Sequence, residues 1–170
     1  MTRLDDETLK EVGRFAIEFN DLDLVISGIA EWILECAEFE TSEQLTPKTL
    51  ELGRKLERIR TVSRSLADKY ALGELHGVLT KQIDSANCII GARNTVFHGS
   101  LIIKAGQPPT IQAKQQMELT PNRLSELVRQ IDDTLHALAT AYFAFMDAVY
   151  KAREAAVRPK KPPPRLSNSI

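Results

Sequence analysis

Gly91-Ala92-Arg93-Asn94-Thr95-Val96-Phe97-His98-Gly99-Ser100 is the stretch on which the fold turns. It closes a helix predicted to begin near Gly73, and the residues after it abandon helical periodicity. At 100° per residue, Leu75, Leu79, Ala86, Ile90 and Phe97 fall within roughly 60° of one another, a core-facing stripe. Asp84, Asn87, Gly91, Asn94 and His98 gather within roughly 80° on another side, an unusually polar face for so apolar a helix. Arg93 is the misfit, because it projects from the middle of the core stripe. An arginine there has to reach a polar cavity, pair with a carboxylate, or face a partner chain.

His98 stands at the negative end of the helix, and Gly99 is the expected stop signal. Its ring is a candidate proton donor and acceptor. Asn94 and His98 are four apart and share a face, whereas Arg93 lies roughly 140° round from His98. Long side chains, or a second copy of the helix, are needed for the two to converge. A permanent cation, an amide and a titratable ring together suit a phosphodiester. The bland readings stand beside this one: Arg93 as a satisfied structural arginine and His98 as a helix-terminal cap.

Arg93-Asn94-Thr95-Val96-Phe97-His98 resembles the R-x(4–6)-H motif of the HEPN superfamily, in which a polar residue follows the arginine. The layout is similar too, a small helical bundle with the motif late in its third helix. The resemblance implies a metal-independent, cofactor-free endoribonuclease that dimerises so that two Arg/His sets share one cleft. By position it makes Arg93 the phosphate-stabilising residue, His98 the proton-handling one and Asn94 the residue that orients the site. It also implies RNA as substrate, a homodimer, and a toxin or antiphage-defence setting with an antitoxin as a possible partner. Non-catalytic relatives of such folds exist, and the competing expectations are a dimerising interaction module and an RNA-binding adaptor built on Arg54, Arg58, Arg60 and Arg64 with a basic tail.

Working outward, the chain predicts an all-α domain, a four-helix antiparallel bundle over residues 1–155 with a β-hairpin inserted between helices 3 and 4. Residues 5–38 read as one helix, with Phe15, Phe19, Leu22, Ile26, Ile29 and Ile33 in a single stripe. Trp32 and Val25 widen its apolar face, which marks a contact beyond the domain's own core. Asp23 sits at the stripe's edge and is the expected carboxylate for Arg93. Thr46-Pro47 gives an N-cap and a first-turn proline for a second helix running to Tyr70, with Leu52, Leu56, Ile59, Leu66 and Tyr70 inward.

Leu101-Ile102-Ile103-Lys104 and Thr110–Lys114 flank dense turn chemistry at Ala105–Pro109, which reads as a hairpin walling one side of the cleft, or else as a loop. Thr120-Pro121 repeats the capping device. From Leu124 through Leu127, Ile131, Leu138 and Tyr142 to Val149 a clean stripe follows, with Phe143 and His136 off it. Residues 156–170 read as a basic proline-rich disordered tail, Arg158-Pro159-Lys160-Lys161-Pro162-Pro163-Pro164-Arg165 at its centre; a disordered terminus with no role is the first expectation, and nucleic acid or an aromatic groove the alternative ligand.

The chain has 170 residues, 43% of them hydrophobic and 26% charged, the composition of one ordinary globular domain. No run of apolar residues is long enough to cross a bilayer and the first residues carry no apolar signal region, so a cytoplasmic, membrane-free protein is expected. The net charge of −1 hides an uneven spread: residues 1–47 carry 12 acidic and 3 basic side chains, residues 48–69 carry 7 basic and 3 acidic. That basic second helix is either a solvated face or a track for a phosphate backbone, and Arg60 and Arg64 are the candidate RNA-binding pair. His76, His98 and His136 lack metal-ligand spacing, and Cys36 and Cys88 read as small buried hydrophobes, so no metal is expected. Hydrolase elbows, P-loops and dinucleotide glycine patterns are missing from the sequence.

Overall fold

The computed structural model describes residues 4–37, 51–104, 106–113 and 116–157. Among them the elements run α1 (Asp6–Ala37), α2 (Leu52–Tyr70), α3 (Gly73–His98), β1 (Ser100–Ile102), β2 (Thr110–Gln112), β3 (Gln116–Glu118) and α4 (Pro121–Val157). Four helices form the bundle, and the strands between α3 and α4 make one antiparallel sheet in the order β1-β2-β3. The expected hairpin is there as β1 and β2, with Leu101 opposite Ile111, and Gln116–Glu118 adds a third strand, Met117 opposite Ile111.

Local chemistry sets the helix ends. Asp5 caps α1: its carboxylate accepts the Thr8 backbone N–H at 2.7 Å and the Thr8 hydroxyl at 2.9 Å. These bonds hold the Asp5 carboxyl below its ordinary 3.8, the backbone one most. Thr120 caps α4, accepting the Arg123 backbone N–H at 3.3 Å, with Pro121 at the first helical position as expected. The cap predicted at Thr46-Pro47 lies outside the described residues. Ala71, at φ 57°, turns the chain from α2 into α3.

The core follows the predicted stripes in the main and adds Ile83 and Phe145, which they did not include. Phe15, Leu22, Ile26 and Ile33 of α1 meet Leu56 and Ile59 of α2, Leu79 and Ile83 of α3, and Ile131, Leu138 and Phe145 of α4, all fully buried. Each such side chain contributes about 1.5–3 kcal/mol of burial. A smaller core of Ile111, Leu119 and Leu124 seats the sheet against Leu4, Val12 and Val96, at the end of the bundle where α1 and α4 begin and α3 finishes.

Helix directions differ from strict alternation. Ser125 donates to Glu11 at 2.8 Å and Cys36 meets Tyr150 at 2.8 Å, both at a separation of 114 residues, so α1 and α4 run parallel. Lys55 of α2 binds Asp23 of α1, and farther along both helices Arg153 bonds to the Cys36 carbonyl and the Tyr70 hydroxyl. Hence α2 also runs with α1, and only α3 opposes the other three. The antiparallel expectation presumed short connections between neighbours. Fourteen residues separate Ala37 from Leu52, enough chain for a parallel return.

One consequence shapes the site. Lys55 is level with Asp23, which places the first residue of α2 near the level of Asn20. Among the described helices, only α1, α3 and α4 continue from there to the sheet. Phe97 keeps the angle of the core stripe yet stays 39% exposed, because α2 does not extend over it. No helix among the described residues is long and apolar enough to cross a membrane.

Candidate functional site

The last turns of α3 carry Arg93, Asn94 and His98. The polar face predicted there is solvent-facing throughout, with Asp84, Asn87, Gly91, Asn94 and His98 all exposed. Arg93, half-buried, does not enter the core. Its guanidinium lies 5.5 Å from the ring centres of both Phe19 and Phe97, two cation–π contacts from different helices. Phe97 in turn stacks on fully buried Phe15, with ring centres 5.9 Å apart and planes within 8°. The arginine stem thus spends its apolar length on aromatic faces and delivers its charged head to the surface.

There Arg93 Nη1 donates to His98 Nε2 at 2.8 Å and to Asn94 Oδ1 at 3.2 Å. The sequence angle of roughly 140° is bridged by the length of the arginine, within one chain and with no second copy. An arginine only donates, so Nε2 is the acceptor in this contact. Among the described residues no carboxylate lies within ion-pair distance of Arg93. One full positive charge therefore stands beside a basic ring nitrogen, at the surface, with no anion supplied by the protein's described part.

The predicted Asp23–Arg93 pair does not form. Asp23 accepts Lys55 Nζ at 3.3 Å and the Ser27 hydroxyl at 3.1 Å, and Lys55 also donates to Ser27 Oγ at 2.7 Å. Lys55 is 7% exposed, a nearly buried ammonium that takes the carboxylate first. The signal was present, since Lys55 falls between Leu52 and Ile59 on the inward stripe of α2.

Arg60 is engaged too. It pairs with Asp84 of α3 and lies 3.7 Å from Glu57, so its charge is largely answered inside the protein. Asp84 precedes His98 by fourteen residues, about 21 Å of helix, so Arg60 sits well away from the Arg93 cluster. Arg64 is exposed and has no ion pair among the described residues, but it lies farther still along α2.

Gly99 does not stop α3 by a left-handed turn. Its backbone is extended, at φ −76° and ψ 159°. What requires glycine is a close approach: an added Cβ would collide with the Ile111 side chain and lie 2.5 Å from the Thr95 carbonyl oxygen. The absent side chain lets β2 close against the end of α3, which fixes the sheet beside His98.

The other histidines stand apart. His76 is half-buried near the start of α3, 3.4 Å from the Thr80 hydroxyl, and His136 is exposed on α4. Cys88 is exposed and Cys36 half-buried against the Tyr150 hydroxyl, so neither is the buried hydrophobe expected. Among the described residues no three His, Cys, Asp or Glu side chains are grouped to hold a metal ion. Comparison with protein-family models, curated proteins and solved structures found no match.

Proposed function

We propose that this protein is a metal-independent endoribonuclease of the HEPN type, with Arg93, Asn94 and His98 as its catalytic set. The observation that carries the reading is the 2.8 Å contact between an arginine with no carboxylate partner among the described residues and a histidine Nε2, both at the surface. A phosphodiester supplies the missing anion. It is a better acceptor for Arg93 than a neutral imidazole, so its arrival draws the guanidinium off Nε2 and frees that lone pair.

The chemistry then balances without a cofactor. His98 Nε2 takes the proton of the ribose 2′-hydroxyl, whose oxygen attacks the adjacent phosphorus. The bond from 2′-oxygen to phosphorus forms, and the bond to the 5′-oxygen breaks. Arg93 neutralises the charge gathering on the phosphoryl oxygens. The imidazolium, or that of a second copy in a homodimer, returns the proton to the leaving 5′-oxygen. The products are a 2′,3′-cyclic phosphate and a 5′-hydroxyl. Asn94 holds the guanidinium in register before substrate arrives. Arg64 is the exposed cation available to a longer RNA strand, whereas Arg60 has to leave Asp84 first. A toxin or defence role in the cytoplasm, with an antitoxin as partner, is the setting that this activity fits.

A second reading is favoured by Phe19 and Phe97, which grip Arg93 as they would a strut. In that case the bundle is a non-catalytic dimerising module, and Arg93→Ala unfolds it. The test is incubation of purified protein with RNA in excess EDTA, with the cut ends analysed. Cleavage leaving 2′,3′-cyclic phosphates, and lost in a folded His98→Ala variant, is the expected result. Equal cleavage by His98→Ala overturns the nuclease assignment.

A further inference from the structure

At the end of the bundle remote from His98, an open groove of about 350 Å³ lies between α1 and α4. Trp32, Tyr142, Phe143, Met146 and Tyr150 line it, with Glu35 at its edge. The three aromatic rings Trp32, Tyr142 and Phe143 lie 5.5 to 6.5 Å from one another, centre to centre. Trp32 is 51% exposed, Phe143 56% and Tyr150 49%. Leaving three large aromatics so open forfeits burial that a bundle of this kind ordinarily collects.

The floor is held in place. Tyr150 meets the Cys36 thiol at 2.8 Å, and Arg153 is bonded to the Cys36 carbonyl and the Tyr70 hydroxyl. Arg153 is therefore turned to the helix ends. Glu35 is the charged group lining the groove, and Glu154 is exposed one turn beyond Tyr150. Clustered aromatic faces with a carboxylate at the rim recognise two things well: proline rings, which stack on them, and cations, which the faces and the carboxylate attract.

The chain carries such a ligand itself. Residues 158–165 read Arg-Pro-Lys-Lys-Pro-Pro-Pro-Arg, with no acidic residue from there to Ile170. In polyproline geometry, three residues per turn put Pro159, Pro162 and Arg165 on one edge. This segment follows directly on Val157, the last residue of α4. Met146 is eleven residues back from Val157, about 16 Å of helix, and eight residues in polyproline geometry span about 25 Å. The segment therefore reaches the groove with chain to spare, and its tether gives it a high effective concentration there.

We propose that the aromatic groove between α1 and α4 is the docking site of this chain's own segment Arg158–Arg165, its prolines on Trp32 and Phe143 and a cation against Glu35. Trp32 is the only tryptophan of the chain, so its emission reports on the groove directly. The full-length protein is compared with two full-length variants, one carrying Pro162→Ser, Pro163→Ser and Pro164→Ser together, the other Glu35→Lys. The proline substitutions lie beyond the last helix, so the bundle is left intact. The expected result is a red shift of emission and a higher acrylamide quenching constant in both variants. A synthetic peptide of residues 158–165, added to the proline variant, is expected to reverse both changes saturably. Identical emission and quenching in all three proteins overturns the proposal. Protection of Trp32 that is lost on dilution of the wild-type protein overturns it as well, since the occupant would then come from a second copy.

Discussion

At the sheet end of the bundle, α1 presents Phe15 and Phe19 to α3, and a guanidinium lies against the aromatic wall. At the opposite end, the same helix presents Trp32 to Tyr142 and Phe143 of α4, and a carboxylate lies at the rim. Phe19 and Trp32 are thirteen residues apart, about 20 Å along one helix. Aromatic support is common to both ends, and the sign of the attached charge sets them apart. On the proposed reading Arg93 suits the first to anions, and Glu35 suits the second to cations. The charged residue fixed beside the rings, not the rings themselves, then selects the ligand.

Substitutions can break or sharpen this contrast. The largest effect belongs to the cationic end. His98→Ala and Arg93→Ala are each expected to slow RNA cleavage by at least about 10²-fold, the scale of a lost general base or charge stabiliser. Phe143→Ser, at the other end, is expected to leave the rate unchanged. Initial rates in EDTA check all three, and an equal loss in Phe143→Ser would show that the two ends are one site. Gly99→Ala should follow in size. Its Cβ forces Ile111 off the end of α3 and costs about 1–3 kcal/mol, read as a lower denaturant midpoint. Cleavage should fall with it, since the sheet beside His98 is displaced.

Between the two ends lies the Lys55–Asp23 pair. Asp23→Ala leaves a nearly buried ammonium without its carboxylate and should cost about 1–3 kcal/mol. Adding Lys55→Met should recover most of that loss, and a thermal melt of the double variant decides it. The smallest effect is at Asp5. Its carboxyl titrates below 3.8 in the folded protein, so its contribution is complete above that pH and is lost as pH falls through the lowered value. Asp5→Asn keeps the cap and removes the titration. Acid unfolding should then be less steep between pH 4 and the lowered value, which circular dichroism can follow.

What the sequence made legible was angular. Periodicity reports which side of a helix a residue occupies, so the stripes of α1 and α4 and the polar face of α3 stand where it placed them. Short-range chemistry was legible as well, as Thr120 and the turn-rich insertion before α4 show, whereas the Asp5 cap was not read from the sequence. Level along the axis was not legible, because it depends on how neighbouring helices slide past one another. That is why periodicity alone pairs Asp23 with Arg93 although Lys55 is at its height, and leaves Arg60 open although Asp84 stands opposite. The direction of α2 escaped for the same reason, since a fourteen-residue connection permits either sense. Periodicity marks Arg93 as a misfit, but its escape over Phe19 depends on α2 starting late.

The fixed offset of 114 residues between α1 and α4 has a kinetic consequence. The α1–α2 pair, the α2–α3 hairpin and the α3–sheet–α4 unit close short loops, so they assemble from nearby sequence. The seam between the first helix and the last spans almost the whole chain, and it closes cheaply only once those units are in place. Phe19 beneath the guanidinium needs only α1 and α3, whereas the groove at Trp32 needs α4 as well. A chain that still lacks α4 can thus hold the first surface but not the second.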